Sequence, residues 1–167
     1  MNAAVIKSVL PHRYPMLLID SVVELVPNDS IRARKAISLN EPWYANMAGP
    51  STQHSHAYPS VLLIESWCQA AALLATLEEP SPNVLDGSVM LFGRLSNAQL
   101  HRDAFPGEVI EHRVQLVRRV GETAIFEGDA RIHGELVLQV GQVMVTLRPA
   151  RALRPTQASA YTSSDIT

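Results

Sequence analysis

The chain has 167 residues, a length that fits one domain. Hydrophobic residues make up 47% of it and charged residues 18%, a balance that excludes a disordered protein. The formal net charge of -2 gives no overall basic field, so we expect no nucleic-acid partner. The single cysteine, Cys68, excludes an internal disulfide and a cysteine-based zinc site, and it favours a cytoplasmic location.

The first predicted elements are a short helix and a β-hairpin. Residues 3–10 place apolar side chains on one side of a helix, which Pro11 ends. A β-branched segment starts at Met16 and is followed by a turn at residues 27–30 and by an alternating segment at residues 31–38. This pattern favours an antiparallel hairpin.

The N-terminal motif PHRYP lies between these two elements. We interpret His12 and Tyr14 as residues that fix a turn rather than as reacting groups. The segment also lacks the long apolar run of a signal peptide, so we expect the mature chain to begin here.

A long loop and an apolar helix form the middle of the chain. Residues 39–59 are rich in Pro, Gly, Asn, Ser and His and show no period, which predicts a loop of functional length. The next segment is apolar on nearly every side and predicts a helix that is covered all round, with Ser60 as its N-cap. It is shorter than the roughly 20 apolar residues of a membrane span, so we expect no membrane partner.

Four extended segments separated by turns follow the helix and have the spacing of a meander. Alternation is clearest on the second of these segments, where Ile110, His112, Val114 and Leu116 alternate with polar residues and predict a sheet with one dry face. We therefore predict an α+β fold, with a curved antiparallel sheet around a long central helix in a single domain at residues 1–148. Residues 149–167 have no period and are predicted to form a disordered tail.

Several segments, taken in order, resemble one family. They are LPHRYPMLLIDSVVEL, NEPWY, PSVLLIESWCQAAALL and HRDAFPGEVIEHRVQL, and the similarity covers residues 5–148. They are similar to the hotdog-fold 3-hydroxyacyl-[acyl-carrier-protein] dehydratases of the short, non-isomerising type. The resemblance implies a homodimer or heterodimer of hotdog chains, and a substrate linked to the phosphopantetheine arm of acyl carrier protein.

The same resemblance implies the site residues. The family carboxylate corresponds to Glu65, and the family Gln one turn later corresponds to Gln69. Met47 stands where the family has its loop histidine, but the longer loop of this chain carries His54 and His56. Either histidine is a candidate for the missing imidazole, with His56 nearer to the helix.

Dehydration requires a base, an acid and dipoles for the thioester oxygen. Burial predicts a raised pKa for Glu65 and hence a role as the acid, while the amides near Ser60 and Val61 are candidates for binding the thioester carbonyl. The structural alternative is that Glu65 complements the helix dipole or pairs with an arginine, and that His54 and His56 are solvated. A third ligand at suitable spacing and a dinucleotide motif are both missing, so we expect neither metal nor cofactor.

Three functions follow from these residues. The first is dehydration of a 3-hydroxyacyl thioester to a 2-enoyl thioester, in a specialised polyketide or modified fatty-acid pathway because the loop diverges. The second is a catalytically degenerate hotdog subunit that pairs with a histidine-bearing homologue. The third is a hotdog thioesterase, which the N-terminal and NEPWY segments disfavour.

Overall fold

The computed structural model describes residues 1–45, 53–78, 80, 82–83 and 87–153. Within these residues, a six-stranded antiparallel sheet curves around one long helix. The helices and strands are α1 (Ala3–Val9), β1 (Ser21–Val26), β2 (Ser30–Ala36), α2 (Ser60–Thr76), β3 (Ser88–Leu100), β4 (Val109–Val120), β5 (Thr123–Ile132) and β6 (Glu135–Pro149). Short 3-10 turns occupy Pro42–Tyr44, Gln53–His56 and Ala150–Leu153. The predicted α+β fold class is confirmed.

The strand order is β1-β2-β4-β5-β6-β3, and every neighbouring pair is antiparallel. The predicted hairpin is β1 and β2. The predicted meander holds for β4, β5 and β6 but is wrong for β3, which pairs with β6 at the far edge. The cause is the connection at residues 101–108, which is long enough to cross the sheet, whereas the other two turns are tight hairpins.

Helix α2 lies in the concave face of the sheet and contacts β2, β4, β5 and β6. Its side chains from Ser66 to Thr76 are buried, because Ala and Leu dominate this stretch and the sheet surrounds them. The indole Nε1 of Trp67 donates to the carbonyl oxygens of Arg113 and Asp129 at 3.2 Å each. The helix is therefore fixed to β4 and β5 by a part-buried polar contact as well as by packing.

The start of α2 differs from the prediction. The N-cap residue is Pro59 rather than Ser60, and no side chain caps the helix. Pro59 has a non-helical backbone with φ -56° and ψ 124°, and its carbonyl oxygen already accepts from the amides of Leu62 and Leu63. Ser60 is therefore the first helical residue, because the proline fixes the entry conformation one position earlier.

The structure can be compared with two sequence predictions, the buried face of β4 and the end of the domain at residue 148. Ile110, His112 and Val114 are buried beneath α2, which confirms the alternation on β4. Ordered structure runs past residue 148, since β6 reaches Pro149 and a 3-10 turn follows it. Residues 154–167 lie outside the described part of the chain, so the disordered tail stays a prediction there. No helix in the described ranges is long and apolar enough to cross a membrane.

Candidate active site

A cavity of about 260 Å³ lies beside α2. Its walls come from the end of α1, the PHRYP segment, one side of α2 and the first half of β3. The described residues that line it are Val9, Leu10, Pro11, His12, Glu65, Ala72, Thr76, Ser88, Val89, Met90 and Phe92. His12 and Glu65 are the titratable side chains of this set. An apolar cavity with a few convergent polar groups is typical of a small-molecule or acyl-chain site.

Glu65 lies in the second turn of α2, and its side chain is 31% exposed. Its Oε1 accepts a hydrogen bond from Nε2 of Gln69 at 2.9 Å, and Nε2 of His12 lies 3.4 Å from the same oxygen. Burial raises the pKa of Glu65, but the contacts with His12 and Gln69 and the charge of His12 together hold it below its ordinary value of 4.5. The expectation of a protonated Glu65 acid is therefore wrong, because donors converge on the carboxylate.

Gln69 explains why these groups meet. Its side chain is 1% exposed, its Oε1 accepts from the amide of Leu18 at 2.9 Å, and its Nε2 donates to the carbonyl of Met16 at 2.7 Å as well as to Glu65. The single amide group thus ties the segment after PHRYP to α2 and holds the carboxylate. Gln69 lies behind Glu65 rather than on the cavity wall.

The predicted loop histidines lie in the 3-10 turn Gln53–His56. The side chain of His54 is outside the described atoms, and Met47 is outside the described residues. His56 is half-buried, and its carbonyl oxygen accepts from the hydroxyl of Tyr44 at 3.4 Å. Among the described lining residues, His56 does not occur. Within the chain, the structure does not bring His56 to Glu65.

The two predicted residues at the helix entry are also away from the cavity wall. Ser60 and Val61 open α2, and Val61 is 68% exposed. Neither is among the described residues that line the cavity. Their roles in binding a thioester remain predictions that require the substrate to approach from the helix N-terminus.

His12 is the site residue that sequence reasoning missed. We interpreted it as part of a turn, but it lies against Glu65 although 53 positions separate the two residues. The guanidinium of Arg13 fixes the turn instead, because its Nη1 donates to the carbonyls of Leu10 and His12 at 2.7 Å each. No local pattern signals the pairing. The only available signal is the Gln69 motif, which binds the same segment.

The NEPWY segment is anchored separately. Oε1 of Glu41 accepts from Nζ of Lys35 at 2.9 Å and from the amide of Ser38 at 2.8 Å, and Lys35 is only 6% exposed. Burial and the charge of Glu41 raise the pKa of Tyr44 to about 12, so the hydroxyl that contacts the loop stays protonated. The loop is thereby held at its start and at its return.

A metal centre was not expected. Within residues 1–45, 53–78, 80, 82–83 and 87–153, no three His, Cys, Asp or Glu side chains are grouped closely enough to hold an ion. Cys68 is buried, and burial followed by the charge of Glu65 raises the pKa of its thiol to about 12. The thiol therefore packs in the core as the neutral form.

Several known proteins have similar sequences. Residues 10–141 match the family model described as a FabA-like domain. The chain is 35% identical over 143 residues to the 3-hydroxyacyl-[acyl-carrier-protein] dehydratase FabZ of Shewanella amazonensis, which covers 82% of this chain and 88% of that protein. It is 32% identical over 141 residues to the FabZ of a Nitratiruptor species, with coverage of 83% and 93%.

Solved structures support the fold. The dehydratase heterocomplex ApeI:P of Xenorhabdus doucetiae matches with a TM-score of 0.69 and 15% identity over 86% of this chain and 90% of that one. A hypothetical thioesterase with coenzyme A from Streptococcus pneumoniae matches with a TM-score of 0.55 and 11% identity over 77% and 85%. At these identities the two matches concern the hotdog fold alone. The sequence similarity goes further, and the chain belongs to the FabA-like family, among relatives that are FabZ-type 3-hydroxyacyl-[acyl-carrier-protein] dehydratases.

Proposed function

We propose that this protein removes water from a 3-hydroxyacyl chain carried on acyl carrier protein and leaves a 2-enoyl thioester. The observation that carries the proposal is the position of Glu65. Its ionised carboxylate lies on the central helix and lines an otherwise largely apolar cavity. The similarity to FabZ dehydratases supports the same reaction.

Dehydration requires three changes that groups at this cavity must assist. A proton leaves C2, the hydroxyl leaves C3 as water, and negative charge grows on the thioester oxygen. Glu65 takes part in proton transfer, and the amides near Ser60 and Val61 are proposed to polarise the thioester carbonyl. His54 and His56 remain candidates for an imidazole that a partner chain supplies from its loop.

The test is mass spectrometry of a 3-hydroxyacyl carrier protein incubated with the purified protein. The wild type is expected to produce a species lighter by one water, and Glu65→Gln is expected to slow this by about 10²-fold or more. Glu127→Gln is the matched control, because Glu127 is exposed on β5 and away from the cavity. A wild-type protein that releases free thiol instead of water would replace the dehydratase with the thioesterase.

We also propose that a second hotdog chain pairs along β3. This strand is the edge of the sheet beyond β6, and Leu91, Phe92 and Leu95 on it are 38%, 48% and 43% exposed. An edge strand with exposed apolar side chains is a template for pairing. Because Phe92 also lines the cavity, a partner here closes the site.

Analytical ultracentrifugation tests this interface. The wild type is expected to sediment as a dimer, and Leu95→Asp is expected to shift it toward the monomer, whereas Leu39→Asp, in the exposed loop after β2, leaves it a dimer. A monomeric wild type that becomes active only with a hotdog homologue would favour the degenerate-subunit function.

A specialised pathway is supported by the divergent loop, and equal turnover of ordinary saturated substrates of many lengths would count against it.

A further inference from the structure

We propose that His12 supplies the imidazole of this site and works as a proton-transfer pair with Glu65 of the same chain. The inference rests on the proposed dehydration and names the residue that replaces the missing loop histidine. It requires no residue from the loop of a second subunit.

The first support is contact within the cavity. Nε2 of His12 lies 3.4 Å from Oε1 of Glu65, and both side chains line the same apolar space. Their exposed fractions are 30% and 31%, so a substrate in the cavity can reach both. Acid–base pairs without substrate are often slightly longer than an ideal hydrogen bond and shorten in the reactive complex.

The second support is that the pair is held in place. Gln69 binds Glu65 and, through the backbone of Met16 and Leu18, the segment that follows His12. The guanidinium of Arg13 closes the turn on the other side by binding the carbonyl of His12. A side chain that is fixed from both flanks keeps its geometry, which is what proton transfer at a reacting carbon requires.

The third support concerns which nitrogen acts. Nδ1 of His12 is buried and makes no hydrogen bond to the described residues, whereas Nε2 lies 3.4 Å from the Glu65 carboxylate. The imidazole therefore presents Nε2 to the reaction. Because the pKa of Glu65 is lowered, its carboxylate is ionised and faces this nitrogen as a base.

The resulting step is balanced. The Glu65 carboxylate takes the proton from C2, and the electron pair of that C–H bond forms the double bond between C2 and C3. The C3–O bond breaks with its electrons on oxygen, which takes the proton from Nε2 of the His12 imidazolium and leaves as water, while the ring becomes neutral. The proton on Glu65 then passes to Nε2 and restores the pair, so no oxidant or cofactor takes part.

The experiment compares dehydration rates of wild type, His12→Asn, His12→Ala and Glu65→Gln, with His133→Asn as the matched control. His133 is exposed in the turn before β6 and has a positive φ of 51, which asparagine tolerates. We expect His12→Asn to lower kcat by about 10²-fold or more, as Glu65→Gln does, and His133→Asn to leave it unchanged. Circular dichroism and urea unfolding check that each variant is folded.

Imidazole in the buffer separates a chemical role from a structural one. We expect free imidazole to raise the dehydration rate of His12→Ala by about tenfold or more, because it fills the space of the missing ring. The rate of Glu65→Gln should not change. If wild type dehydrates the substrate and His12→Asn stays within about threefold of it, the inference is overturned while the dehydratase stands. Loss of activity in His54→Ala or His56→Ala alone would then assign the imidazole to the loop. A wild type without activity would overturn both proposals.

Discussion

The central glutamine of the site gives the sharpest test of how the structure is held together. Gln69→Leu keeps the size of the side chain but removes three hydrogen bonds. Two of them join α2 to Leu18 and Met16, and the third holds Glu65 on the same helix. The substitution is expected to destabilise the fold and to release the PHRYP segment from the helix. The loss in free energy of unfolding depends on whether water can replace the hydrogen bond that each partner loses.

The three partners differ in their access to water. Leu18 is 2% exposed, so its amide stays unpaired and costs about 1–3 kcal/mol. Met16 is 39% exposed and Glu65 is partly open, so water replaces most of their lost bonds at a total of about 1 kcal/mol. The added apolar burial offsets about 1 kcal/mol. The net destabilisation is therefore about 2 kcal/mol.

Urea unfolding at pH 7.5 measures this difference in the free energy of unfolding, with both proteins at the same concentration. Gln115→Leu is the matched control, because Gln115 is exposed on β4, and it is expected to stay within about 0.5 kcal/mol of wild type. A Gln69→Leu protein with an unchanged free energy of unfolding would refute the reasoning. It would mean that the segment is held by packing of its apolar side chains rather than by the buried amide.

Three further predictions concern the sheet and its contacts with α2. Gly128→Ala is expected to destabilise by about 3 kcal/mol or more, because its Cβ would collide with the carbonyl oxygen of Arg113. The Cβ of Gly107→Ala meets no described atom within 4 Å, so that variant should lose only about 1–2 kcal/mol through backbone strain, and thermal unfolding compares the two. Burial, and then the charge of Lys35, lowers the pKa of His112 from 6.5 to about 3, so the stabilisation that the neutral ring provides is complete above pH 6.5 and is lost as pH falls toward 3. The free energy of unfolding of the wild type, measured in urea, should therefore fall by about 2 kcal/mol between pH 7.5 and 5. An equally large fall in His112→Phe would contradict this assignment. Trp67→Phe removes the donor to the part-buried carbonyls of Arg113 and Asp129 and should cost about 1–3 kcal/mol in the same measurement. An unchanged midpoint would show that the indole acts by volume alone.

Periodicity predicted the elements well where one side of an element is buried. Alternation on β4 identified Ile110, His112 and Val114 as core residues, and the uninterrupted apolar run identified α2 as a central helix. These predictions hold because burial of one face imposes a period that is local in sequence. The position of β3 next to β6 was not predictable in the same way, since strand order depends on where a long connection crosses the sheet.

The sequence by itself determined the fold class, the family and the carboxylate, because local periods and motif residues such as Glu65 and Gln69 are legible along the chain. Only the tertiary structure decided the charge state of Glu65 and the identity of its neighbour. Burial alone argued for a raised pKa, but His12 and Gln69 converge on one oxygen and reverse the direction. Such a balance depends on distances of a few ångströms between residues far apart in the chain, and no local pattern of residue types encodes those distances.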